Sequence, residues 1–158
     1  MLNGFTSDGY TFGSNTDVQG GGNYVAWNWK EDTSAGFDIV SHNVNQTGQD
    51  FTISHNLGVT PDAIFAKNLD ASHSWRVFHT RIGVSKTLFL DTTDSEDSNA
   101  NRVRAVTSSN FTFRTNTAGN FIFYVFSAVK DLVISEPTKV MVLLVMDLMP
   151  SPDFVQVS

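Results

Sequence analysis

The sequence predicts an all-β fold, an antiparallel β-sandwich of about 8–11 short strands. Three observations carry this. Apolar residues recur with period two in short windows, clusters of Gly, Asn, Asp, Ser, Thr and Pro separate those windows, and no window sustains a helical period. At 158 residues the chain reads as one domain, long enough for a sizeable core. It has no cysteine, so neither a disulfide nor a thiolate metal site is available and burial must supply the stability.

Taken in order, residues 7–16 read as a turn and a short strand, and 17–22 as a loop. That loop carries Gly20, Gly21 and Gly22 without the lysine or following helix of a phosphate loop. Residues 23–30 (NYVAWNWK) alternate as a strand, with Val25, Trp27 and Trp29 on one face. A loop at 31–36 precedes a strand at 37–41 and a polar turn at 43–49. Phe51 and Ile53 alternate with Thr52 and Ser54 in the next strand. It runs into the corner formed by His55, Gly58 and Pro61, where glycine can take positive φ and proline fixes its own. Strands follow at 63–67, 74–80 and 86–90, then an acidic loop at 91–99. Strands at 102–107, 111–115 and 120–128 complete the set.

An internal repeat organises these elements. SDGYTFGSNT (7–16) aligns without a gap on SSNFTFRTNT (108–117), and GNYVAWNW (22–29) aligns on GNFIFYVF (119–126). Residues 1–32 therefore read as the closing hairpin of one repeat unit and 36–131 as a whole unit. Residues 132–158 differ in composition: from Pro137 onward there is no glycine, and three of the four prolines and three of the four methionines lie there. That tail reads either as a final strand covering a sheet face or an oligomer contact, or as a stretch from a shifted reading frame.

Charge narrows the function classes. Charged residues make up 16% of the chain, against about 25% in an average domain. The net charge of −6 disfavours nucleic acid, which needs a basic face. The longest apolar run, at 140–145, is too short to span a bilayer, so no membrane insertion is expected.

The segments YVAWNWK, SHNLGVTPDAIFAKN, WRVFH and KTLFLDTTDSED together resemble a repeated domain in tail-fibre and virion structural proteins of marine phages, notably cyanophages. The resemblance runs from Ser7 to Val129 and is carried chiefly by the SH-x-LG-x-x-P corner and the W-x-V-x-H strand. Residues 44–48 fit the family's glycine-rich turn only loosely, Phe126 stands where tryptophan is usual, and the segment after Asp131 does not start another unit. The resemblance implies a concanavalin-like or jelly-roll sandwich and a place in the virion, exposed extracellularly on host encounter. It also implies other fibre subunits as partners, a homotrimer among them, and adsorption to a host glycan or surface protein instead of catalysis.

Candidate sites follow from residue type and position. For ligand binding, the loops 43–49, 68–74 and 91–101 offer Asn45, Gln46, Asp70, His73 and Asn99, with Tyr24 as an exposed aromatic. The other aromatics, Trp27, Trp29, Trp75 and Tyr124, are expected in the core. No cofactor is expected, apart from one reading in which Asp91, Asp94, Glu96 and Asp97 offer oxygens to calcium. The competing reading is a solvated turn, because the EF-hand glycine and terminal glutamate are absent. The resemblance places histidine at positions 55 and 79. Imidazoles there could meet a metal on a trimer axis, but with no further ligands nearby the expected role of His55, Gly58, Pro61 and His79 is to build the corner and the strand end. His42 and His73 read as solvated loop residues. Asp38, Asp50, Asp62 and Asp91 lie on or beside strands without a paired-carboxylate strand motif, and no nucleophile elbow is present. The expectation is a non-enzymatic adhesion module. The alternatives are a calcium-assisted lectin, identified by chelator-sensitive glycan binding, and a concanavalin-fold glycanase, identified by sugar release that an Asp38 or Asp91 change abolishes.

Overall fold

The computed structural model describes residues 2–7, 9–13, 29–98 and 102–128. The chain divides into two units, 1–30 and 31–158. In the first, β1 (Leu2–Phe5) and β2 (Tyr10–Phe12) form an antiparallel hairpin. The second is a β-sandwich, and no α-helix occurs among the described residues. The strand expected at 23–30 and the tail at 132–158 lie outside the described residues, apart from Trp29 and Lys30.

The sandwich begins at a single 3-10 turn, η1 (Thr33–Ala35). The Asp32 side chain accepts the Ser34 amide there, and Gly36 closes the turn at φ 74°. Its strands are β3 (Phe37–Val44), β4 (Asp50–Ser54), β5 (Ala63–Asn68), β6 (Arg76–His79), β7 (Leu88–Phe89), β8 (Arg102–Val106), β9 (Asn110–Arg114) and β10 (Gly119–Phe126). One antiparallel sheet has the order β3-β10-β5-β6-β7, and the other has the order β4-β9-β8. β3 runs three residues beyond the strand expected from sequence. His42 is therefore not a loop residue: it lies half-buried in β3 with its ring 5.2 Å from Phe51.

Alternation puts Val44, Ile64, Ala66, Phe78, Phe121, Phe123 and Val125 on the inner face of the larger sheet. Facing them are Ile53, Val103, Phe111 and Phe113 of the smaller sheet. Phe113 meets Phe123 edge-on at 5.0 Å and Phe121 at 5.4 Å, while Phe111 meets Phe123 at 5.1 Å. Each buried phenylalanine contributes about 1.5–3 kcal/mol. The larger sheet is apolar on its other face as well. Phe37, Phe65 and Phe126 are buried there, with ring centroids 4.8 and 5.1 Å apart. Trp75 and Tyr124, expected in the core, belong to this outer face. Both are half-buried, with their rings 5.9 Å apart and Lys67 set over Trp75.

The hairpin of the first unit repeats one in the second. Leu2, Gly4 and Phe5 pair with Phe12, Thr11 and Tyr10, with an irregularity between Leu2 and Gly4. Val103, Ala105 and Val106 pair with Phe113, Thr112 and Phe111, with an irregularity between Val103 and Ala105. The turns agree too: Thr6 N–H donates to Gly9 O at 2.8 Å, and Thr107 N–H to Asn110 O at 2.8 Å. Gly9–Phe12 coincide with Asn110–Phe113 under the sequence alignment of 7–16 on 108–117, and the strand pairing carries the same offset back to Leu2 and Val103.

The corner at 55–61 ties the sheets together. Both ring nitrogens of His55 are engaged: Nδ1 accepts the Leu57 amide at 3.3 Å and Nε2 lies 3.2 Å from Thr107 O, which makes Nε2 the protonated nitrogen. Asp38, 1% exposed, accepts the Asn56 amide at 2.6 Å and so links the corner to β3. Gly58 has φ 71°, and Pro61 is fully buried.

Candidate functional site

The antiparallel registers bring residues 45–49, 69–75, 90–98 and 115–118 to one end of the sandwich. Backbone bonds join these loops. Gly48 N–H donates to Thr115 O at 2.8 Å, Leu69 N–H to Asn120 O at 2.8 Å, and Leu90 N–H to Trp75 O at 3.3 Å. A polar chain fixes them further. Asn43 Nδ2 donates to Asn120 Oδ1 at 2.8 Å. Asn120 donates to Asp70 Oδ2 from its backbone N–H at 2.8 Å and from Nδ2 at 3.0 Å. The buried Asn68 accepts the amides of Asp70 and Ala71 at Oδ1 and donates to Ala118 O from Nδ2. The loop end is therefore held by side chains of β3, β5 and β10, the three adjacent strands of one sheet.

Between the sheets at this end lies a small cleft lined by Ala66, Phe113 and Phe121 and by Asn68, His73, Ser74, Arg76, Thr115 and Thr117. It encloses about 20 Å³, the room of one or two waters and too little for a sugar ring. Arg76 stacks on Phe89 at 4.5 Å, and its Nη1 is 3.7 Å from Asp97 Oδ2. That separation makes an ion pair without a hydrogen bond, and Nη1 is buried with no hydrogen-bond partner. Burial lowers the Arg76 pKa, against the opposing pull of Asp97 and Asp91.

The residues expected from sequence are distributed as follows. Asn45 and Gln46 are exposed in the 45–49 loop, and His73 lies at the cleft. Asp70 is exposed, with one carboxylate oxygen already taken by Asn120. Tyr24 and Asn99 lie outside the described residues. The four acidic side chains have separate partners. Asp91 accepts the Trp75 amide at 3.1 Å, Asp94 the Thr92 hydroxyl at 2.9 Å, Glu96 pairs with Lys86 at 2.9 Å, and Asp97 pairs with Arg76. Among the described residues no three His, Cys, Asp or Glu side chains are grouped to hold a metal ion.

His55, Gly58, Pro61 and His79 belong to the opposite end. His79 Nδ1 accepts the Arg81 amide at 3.0 Å, the same two-residue reach that His55 makes to Leu57. Burial, and secondarily the charge of Arg81, lowers the His79 pKa, while Asp62 opposes this. Of the carboxylates, Asp38 and Asp62 hold backbone amides at that end, with Ala128 N–H donating to Asp62 at 2.6 Å. Asp50 lies 3.6 Å from Arg104 and 3.4 Å from Arg114. Sequence reasoning missed Arg76, Thr115 and Thr117. Arg76 opens a strand whose next two residues, Val77 and Phe78, are apolar, and the Thr-x-Thr pattern before Gly119 was the available signal for the other two.

A two-sheet all-β module with four loops tied together at one end and a histidine corner at the other is the class of protein that this fold and site define. More particularly, the chain belongs to the family described as Domain of unknown function (DUF7483), whose model matches residues 1–132. Neither a curated protein nor a solved structure matches the chain.

Proposed function

We propose that this chain is a non-enzymatic structural and adhesion module of a phage tail fibre, with a sandwich of jelly-roll or concanavalin-like type. Its loop end would meet a host glycan or surface protein. The observation that carries the reading is the hairpin built twice with one register and one turn, because tandem copies of a unit suit an elongated assembly. The resemblance of the corner and of the W-x-V-x-H strand supplies the phage context. The exposed polar loops at 45–49 and 69–75, braced from behind by Asn68, Asn120 and Asp70, suit recognition on a rigid scaffold. The test is adsorption of labelled protein to cyanobacterial host cells, together with its mass in solution. Saturable adsorption by a trimeric full-length fibre, weakened by Asn45→Ala with Gln46→Ala, is the expected result. Reducing-sugar release from algal polysaccharide that an Asp38 or Asp91 change abolishes would overturn the reading in favour of a glycanase.

A further inference from the structure

We propose that the cleft between the sheets receives the acetyl group of an acetylated sugar; this rests on the reading of the loop end as a glycan-recognition surface. The chemistry of the lining selects the group. Its floor is apolar: Ala66, Phe113 and Phe121 are 3%, 1% and 4% exposed. Its rim supplies donors. Arg76 Nη1 is buried without a hydrogen-bond acceptor, so an incoming carbonyl oxygen would satisfy it. Thr115 and Thr117 share one hydrogen bond between their hydroxyls at 3.0 Å, so whichever donates, one hydroxyl proton of the pair is unspent. Thr115 Oγ1 already accepts the Thr117 amide at 3.1 Å.

Donors around a guanidinium suggest an oxyanion at first, and charge decides against it. Asp97 stands 3.7 Å from Arg76, and Asp91 also acts on that guanidinium. A carboxylate or sulfate entering the cleft would make a third anion around one cation, in a chain of net charge −6. A neutral acceptor carries no such penalty. The acetyl group combines a carbonyl oxygen for Arg76 and the threonine hydroxyl with a methyl for the phenylalanine floor. Its size suits a space of about 20 Å³, while the sugar ring remains outside near His73 and Ser74.

Saturation-transfer NMR on the full chain tests this with chitotriose in N-acetylated and deacetylated forms, O-acetylated xylotriose and trigalacturonate. The expected result is strongest transfer to the acetyl methyl and at least tenfold weaker binding of the deacetylated trimer. The N- and O-acetylated probes distinguish the two sources of the group. The near-isosteric Thr117→Val should weaken binding roughly three- to tenfold, and Arg76→Gln more, each with an unchanged amide spectrum away from the cleft. If Arg76→Gln fails to fold, Thr117→Val alone decides. Equal binding of trigalacturonate or of deacetylated chitotriose overturns the inference. So does an absence of binding to all four sugars; if host-cell adsorption persists in that case, the adhesion reading survives, and if adsorption is absent too, both fail.

Discussion

At His79, one proton decides whether a turn is held. The ring accepts the Arg81 amide through Nδ1, which only the neutral imidazole with its proton on Nε2 can do. Its folded-state pKa lies below the ordinary value near 6.5, chiefly through burial. Between the folded and unfolded pKa values the unfolded chain binds more protons, so stability rises with pH in that window. The contribution is complete above about pH 6.5 and is lost as the pH falls towards the folded value. Urea midpoints taken from pH 7.5 down to 5 should therefore drop less in His79→Asn, whose side-chain oxygen can accept the same amide without titrating in that range. A parallel decline in both proteins would remove His79 as the cause. His55 makes the same two-residue bond, and its second nitrogen faces Thr107 O, so the paired histidines legible in the sequence turn out to bind backbone. The choice between such a role and metal ligation was not legible, because it depends on what each ring nitrogen faces.

At the scale of elements, β10 is the hub. It pairs with β3 on one side and β5 on the other, and its first residues anchor the loop end through Asp70. Gly119 opens this strand at φ 131°, and a Cβ there would lie 3.1 Å from both Asn68 Oδ1 and Asp70 Oδ2. Gly119→Ala should cost about 1–3 kcal/mol through backbone strain alone and should also displace the Asn120–Asp70 bonds. Chemical denaturation and faster hydrogen exchange at Asn120 would register both effects; unchanged exchange would mean that the network does not depend on this glycine. Strand positions were readable from alternation, mostly to within one or two residues. Which face of each strand points inward was not, because Phe65, Val77 and Phe126 are buried on the outer face as well. With both faces apolar, period two gives a strand without a direction, so it does not tell that Trp75 and Tyr124 lie on the outer face. Arg76 was overlooked because its importance comes from Phe89, Asp97 and the cleft, none of which adjoins it in sequence.

For the whole molecule, cohesion between the sheets rests on phenylalanine. Phe123 is fully buried at the centre of the ring contacts with Phe111, Phe113 and Phe121. Phe123→Ala should cost about 3–5 kcal/mol, a large share of an ordinary domain's stability. Thermal and urea unfolding followed by tryptophan fluorescence would measure it, and a loss below 1 kcal/mol would mean that the core closes without this ring. The alignment made only one arm of this hairpin legible, β2 on β9; β1 and the shared irregularity became visible only in the strand pairing. A chain that carries two hairpins of like register can mispair them during folding, a hazard of repetitive chains. Arg114 corresponds to Gly13 under the alignment, and continuing the same offset through the strand register sets Arg104 against Asn3. Both arginines reach Asp50 across the smaller sheet. A surface ion pair is worth at most about 1 kcal/mol, yet the two pairs mark β8–β9 as the hairpin that Asp50 can hold, since neither arginine has a charged counterpart in β1–β2.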